Sequence, residues 1–177
     1  LEVAAGKLQK GLENQAAYDK AVENFEVKLG QARGVAQVKP LADSLKSGFP
    51  SLSVVATNKP TIEQLQGQLL NHVTNLTNAE IKQYTQLRDI GQYSLHVAGL
   101  KGLSDALYRL GLPELKAQAD AGLQTLARAK EALEASQVEA AEVSVVNSIS
   151  VTGGLAALRE SLEALRKLDP NAAPLTT

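Results

Sequence analysis

At 177 residues, 44% of them hydrophobic, the chain is long enough to bury one sizeable core and falls in the range of a single domain. Its 18 Lys and Arg against 19 Asp and Glu leave a formal net charge of −1, so no overall field favours nucleic acid or an anionic membrane surface. The absence of Cys excludes disulfides, thiolate metal sites and thiol nucleophiles, and a composition rich in Ala, Leu and Val with only 3% aromatics favours packed helices over a sandwich. Met is absent as well, and a chain without oxidisable sulfur suits an extracytoplasmic or secreted protein. No run approaches the roughly 18–20 apolar residues that span a bilayer, so no membrane insertion is expected within these residues.

From Leu1 to about Ala32, the heptad positions Leu1, Leu8, Val22 and Leu29 combine with Ala4, Tyr18, Phe25 and Ala32 into one apolar stripe. The stripe predicts a first helix that stops near Gly34, and its heptads also permit a coiled coil and hence a homodimer. Pro40 then opens a short helix through Leu41, Ala42 and Leu45, closed by Gly48. Residues 49–60, bounded by Pro50 and Pro60, read as a connection whose alternating Leu52, Val54 and Ala56 suggest a short extended stretch.

A second stripe of Ile62, Leu65, Leu69, Val73 and Leu76 begins a helix near Pro60. Thr77-Asn-Ala-Glu80 matches a capping box, which marks either a new helix start or a shift of register. Because Ile81, Tyr84, Leu87, Leu95 and Ala98 continue the period, the expectation is one long, bent helix from about 61 to 98. It runs on to Leu110 with a kink at Gly99 or Gly102. Gly111-Leu-Pro113 is a stop and restart, followed by a helix carrying Leu115, Ala119, Leu123, Leu126, Ala129 and Leu133 to about Ala141. The β-branched run Val143 to Thr152 is read as helix, since a lone strand needs a partner and only 51–56 offers one. Leu155, Leu158, Leu162, Leu165 and Leu168 predict a final helix ended by Asp169-Pro170, with 171–177 a frayed tail. The fold expected is all-α, a single domain over 1–177 built as an elongated antiparallel bundle of four to five helices, two of them long.

His72 and His96 are the two histidines, and neither is spaced from a carboxylate as a helical metal pair. The metalloprotease, P-loop, dinucleotide-binding and Gly-x-Ser-x-Gly patterns are absent, so a noncatalytic protein without metal or cofactor is expected. Tyr84, Arg88, Gln92 and His96 recur every four residues with Asp89 and Tyr93 beside them. On one long helix this stacks aromatic, cationic and hydrogen-bonding groups along a face. Tyr84, Arg88, Gln92, Tyr93 and His96 are therefore the candidate site, suited to a protein partner or a small anionic ligand. Asn75-Leu-Thr77 is an N-glycosylation sequon, relevant only to a eukaryotic secreted protein.

The run His96-Val-Ala-Gly-Leu-Lys101-Gly102 resembles the histidine phosphotransfer domain, a helical bundle whose phosphorylatable His is followed by x-Leu-Lys-Gly. That resemblance implies phosphorylation of His96 with Lys101 beside the phosphoryl group. Lys101 stands five residues after His96 rather than three, a further turn of about 200° on a helix, which points it away. Tyr18-Asp-Lys-Ala-Val-Glu-Asn-Phe25 and Ala164-Leu-Arg-Lys-Leu-Asp-Pro170-Asn each resemble the second helix of a tetratricopeptide repeat, implying a helical-repeat scaffold, although no 34-residue period links them. The leading expectation is a noncatalytic binding module, a bacterial extracytoplasmic or secreted helical domain such as a sensor ectodomain or virulence-type interaction domain. Its alternatives are a phosphotransfer-like signalling bundle and an oligomerising coiled-coil or repeat scaffold.

Overall fold

The structure, a computed structural model, describes residues 1–52 and 59–147, together with 154, 160, 162–164 and 167. The described residues are all-α and include no strand. Contacts divide the chain into two compact units, Leu1–Lys130 and Glu131–Thr177, which are taken separately.

In the first unit, α1 (Glu2–Gln31) uses only part of its apolar stripe. Tyr18, Val22, Phe25 and Leu29 are buried, whereas Leu1, Leu8 and Leu12 remain exposed. At 100° per residue those three leucines lie about a quarter turn from the face that carries Tyr18, Val22 and Phe25, so the same core cannot take both. The expected single seam from Leu1 to Leu29 is thus two faces.

After Gly34 the chain turns back through a continuous helical run: a 3₁₀ turn (Val35–Val38), α2 (Lys39–Asp43), a π-helical turn (Ser44–Gly48) and α3 (Phe49–Leu52). Gly48 does not close this segment, and the expected connection begins later than Phe49. Phe49 explains the difference. Its buried ring stands edge-on to Tyr18 at 5.6 Å and to Phe25 at 5.8 Å, and this packing outweighs the helix-breaking tendency of Gly48 and Pro50. Val54 and Ala56, on which the extended reading rested, lie outside the described residues.

Tyr18 also donates its hydroxyl to the Pro60 carbonyl at 2.5 Å, which ties α1 to the start of α4 (Ile62–Thr85). There Thr61 and Gln64 form a capping box: Gln64 N–H donates to Thr61 Oγ1 at 3.2 Å, and Thr61 N–H donates to Gln64 Oε1 at 2.9 Å. The similar Thr77…Glu80 pattern lies inside α4 and starts nothing, because Thr77 is fully buried and Glu80 turns toward Val35.

The long helix expected from 61 to 98 is two helices. α4 ends at Thr85, Gln86 is extended, and a 3₁₀ turn (Ile90–Gln92) leads into α5 (Tyr93–Leu110). Asp89 is the cause: its carboxylate accepts from Gly91 N–H at 3.0 Å, a local bond that offers the backbone an alternative to the helix, and Gly91 adds little helix propensity. Gly99 and Gly102 sit within an unbroken α5.

α5 ends in a Schellman motif. Gly111 is left-handed (φ 71°), its N–H donates to the Tyr108 carbonyl, and Leu112 N–H reaches back to Leu107. Pro113 then opens α6 (Pro113–Asn147).

Pairings give the direction of each helix. Tyr18 meets Pro60 and Ala32 meets His72, so α1 and α4 run the same way, with the 35–52 segment returning between them. Tyr84 meets His96, and Ser104 meets Asp120, so α4, α5 and α6 alternate in direction. The described part of this unit is therefore an up-and-down bundle of five helical segments, at the upper end of the number expected. One core cluster joins Tyr18, Phe25, Leu45, Phe49 and Leu65; a second joins Val35, Val38, Val73, Leu103 and Leu107; Leu69 packs against both.

In the second unit α6 stays helical to Asn147, so the β-branched run is helical as far as it is described, and Val138, Val143, Val145 and Val146 are exposed. Of the predicted final helix, residues 160, 162–164 and 167 are described and are helical; the 171–177 tail lies outside the described residues. No described helix is long and apolar enough to cross a membrane.

Candidate functional site

The joint between α4 and α5 redistributes the five residues of the predicted strip into four places. Tyr84, in the last turn of α4, and His96, in the first turn of α5, come together. Their rings are edge-on at 5.9 Å, and His96 Nδ1 lies 3.0 Å from the Tyr84 carbonyl oxygen. A carbonyl only accepts, so Nδ1 carries the proton, and His96 satisfies one of the carbonyls left unpaired at the end of α4. The Tyr84 ring lies directly on the α5 backbone at Gly99, where a Cβ would stand 2.4 Å from Cε1. The pair locks the hairpin between the two helices.

Arg88 stands elsewhere, at a bend in the segment between α4 and the 3₁₀ turn. It lines a shallow cleft of about 400 Å3 together with Ala79, Lys82, Gln83 and Gln86. Positions 79, 82, 83 and 86 share one face of the helix, so Arg88 is added to a polar edge already built by α4. Lys82 in the last turn also suits the negative end of the helix dipole. Among the described residues no ion pair engages Lys82 or Arg88, and each leaves its charge to the solvent side of the cleft. Gln92 is exposed at the end of the 3₁₀ turn, and Tyr93 faces away to α6, where Lys130 Nζ sits 5.2 Å from its ring centroid. Lys82, Gln83 and Gln86 were missed in the sequence, although their spacing from Ala79 marks a common face.

Two carboxylates are committed to the scaffold. Glu80 accepts from Val35 N–H at 3.3 Å and so caps the 3₁₀ turn after Gly34. Burial raises its pKa above the ordinary glutamate value, a shift partly offset by that bond. Asp120 accepts from Lys116 Nζ at 2.7 Å and from the buried Ser104 hydroxyl at 2.6 Å, and these two partners hold its carboxyl below the usual range. The sequon's Thr77 lies within α4, fully buried, with no hydrogen-bond partner for its hydroxyl among the described residues.

Among the described residues no three His, Asp or Glu gather as a metal site. His96 is half-buried near the start of α5 with Nδ1 engaged, and Lys101 is exposed one turn further on, an arrangement unlike the exposed mid-helix His beside a cation that phosphotransfer requires. No family model, curated protein or solved structure matches the chain.

Proposed function

We propose that this protein is a noncatalytic binding module whose α4–α5 joint receives a carboxylate-bearing segment of a protein partner. The observation that carries this reading is the cleft lined by Lys82, Gln83, Gln86 and Arg88, in which two cations without ion-pair partners among the described residues stand beside two amide donors. Arg88 presents a planar fork that matches a carboxylate in two bonds, Lys82 supplies a second point charge, and the Gln amides fix orientation. The cleft is shallow, which suits a partner surface better than an enclosed small molecule. The Tyr84–His96 contact and the Asp89 turn hold the joint in shape before any ligand arrives, and this lowers the ordering cost of binding.

Exposed ion pairs and hydrogen bonds contribute up to about 1 kcal/mol each, so the two cations and two amides support binding of about 1 mM at best for an isolated acidic peptide. A full partner would add apolar contacts around this anchor. The test is a titration of the ¹⁵N-labelled protein with a Glu-rich peptide, and with a Lys-rich peptide and citrate as controls. Saturable shifts at Lys82, Gln83, Gln86 and Arg88 with the acidic peptide support the reading. Equal shifts with the Lys-rich peptide oppose it, and stronger binding of citrate would reassign the site to small anions. An extracytoplasmic or secreted location belongs to the same proposal and is tested by fractionating cells that express the protein from its natural gene.

A further inference from the structure

Another cavity shares no lining residue with the cleft at the α4–α5 joint. Its volume is about 280 Å3, and Leu45, Leu69, Leu70, Val73, Leu110 and Leu112 wall it. Leu45 and Val73 belong to the buried core, so the floor is apolar, while Leu70 is half-exposed at 47%. Among the described residues its polar lining comes from two exposed side chains, Lys46 and Gln66, of which Lys46 is charged. No ion pair engages Lys46 among the described residues.

The backbone at this place is unusual for an independent reason. Leu45 and Lys46 fall in the π-helical turn Ser44–Gly48, set between two α-helical stretches. A π turn accommodates an extra residue and so puts consecutive side chains where an α-helix would not. Such turns are rare and recur at functional sites. Here the wider turn sends Leu45 into the core and leaves the next residue, Lys46, beside an apolar cavity.

We infer that this cavity takes a medium-chain carboxylate, with the alkyl chain among the leucines and the head group held by Lys46 and Gln66. An aliphatic wall with one cation and one amide donor matches an amphiphile of negative charge, and it disfavours a cationic one. A cavity of about 280 Å3 has room for an alkyl chain among the leucines while the carboxylate sits between the two polar side chains. This site is separate from the cleft at Arg88.

Calorimetric titration of the whole chain with hexanoate, octanoate and octylammonium, below their aggregation concentrations, tests the assignment. Octanoate saturates one site, and hexanoate binds about 15-fold more weakly, because each buried methylene is worth about fourfold. Octylammonium binds at least tenfold more weakly than octanoate, and Lys46→Glu reverses that order. Ala42 also lines the cavity, so Ala42→Leu fills it and removes octanoate binding, whereas Lys82→Gln/Arg88→Gln leaves it intact. Absence of a saturable octanoate signal would overturn the inference, as would equal binding of octanoate and octylammonium. Loss of octanoate binding in the Lys82→Gln/Arg88→Gln protein would transfer the effect to the other cleft and overturn it equally.

Discussion

Replacing Gly99 by Ala probes the α4–α5 joint at its tightest point. A Cβ there would stand 2.4, 2.5 and 2.8 Å from Cε1, Cζ and Cδ1 of Tyr84, where ordinary contact begins near 3.4 Å. The ring must therefore retreat by roughly 1 Å, and the retreat disturbs its edge-on contact with His96. Overpacking of this kind costs about 1–3 kcal/mol, against a helix-propensity gain of about 1 kcal/mol for Ala over Gly. The net expectation is a loss of up to about 2 kcal/mol. In a Tyr84→Ala background the obstacle is gone and only the propensity gain remains, so the same substitution should stabilise by about 1 kcal/mol. Urea unfolding of the wild type, both single variants and the double variant measures this change of sign as a coupling energy. If Gly99→Ala stabilised the protein equally in both backgrounds, the packing of Tyr84 on the α5 backbone would be refuted.

Thr77→Val replaces a fully buried hydroxyl that has no partner with a methyl group of the same shape, and should raise stability by about 1 kcal/mol in thermal or urea unfolding; a loss would mean that the hydroxyl is satisfied. Burial holds the Glu80 carboxyl above its ordinary 4.5, so the folded protein keeps that proton to a higher pH than the unfolded chain does. Stability therefore falls as pH rises from the unfolded value through the folded one, and is level above it. Glu80→Gln should remove this fall from the stability–pH profile, so that the two profiles diverge across that pH window, and parallel profiles would contradict it. Ser104→Ala should cost about 1 kcal/mol and let the Asp120 carboxyl rise toward its usual range, with Lys116 still bound, as read by NMR titration; an unmoved carboxyl would deny the α5–α6 bond.

Much of the fold was legible because the apolar spacing of a bundle helix is a strong local signal. The burial of Leu65 and Val73, the Gly111-Leu-Pro113 stop and the helical reading of Val143 and Val145 all followed from it. Two pieces of local chemistry were not separable from the pattern. Thr61…Gln64 and Thr77…Glu80 carry the same capping motif, and only tertiary packing decides that the first caps a helix while the second lies inside one. Asp89 was read as a neighbour on a helical face, yet its bond to Gly91 breaks that helix and disperses the predicted strip.

The candidate site suffered accordingly. A four-residue recurrence locates groups on one face only while the helix continues, and between Gln86 and Asp89 it does not. Tyr84 and His96 still met, through the hairpin rather than along a helix. Arg88 lines a cleft instead, with Lys82, Gln83 and Gln86 as company. Leu1, Leu8 and Leu12 show the same limit for α1, since a heptad records that a face is apolar and not what covers it.

The most direct test of the binding reading is the affinity of a Glu-rich peptide for the wild type and for Lys82→Gln/Arg88→Gln, measured at low and at physiological salt. Binding near 1 mM that weakens as salt rises, and that falls at least tenfold in the double variant with its salt dependence lost, is the result predicted. Equal affinity and equal salt dependence in the two proteins would contradict it.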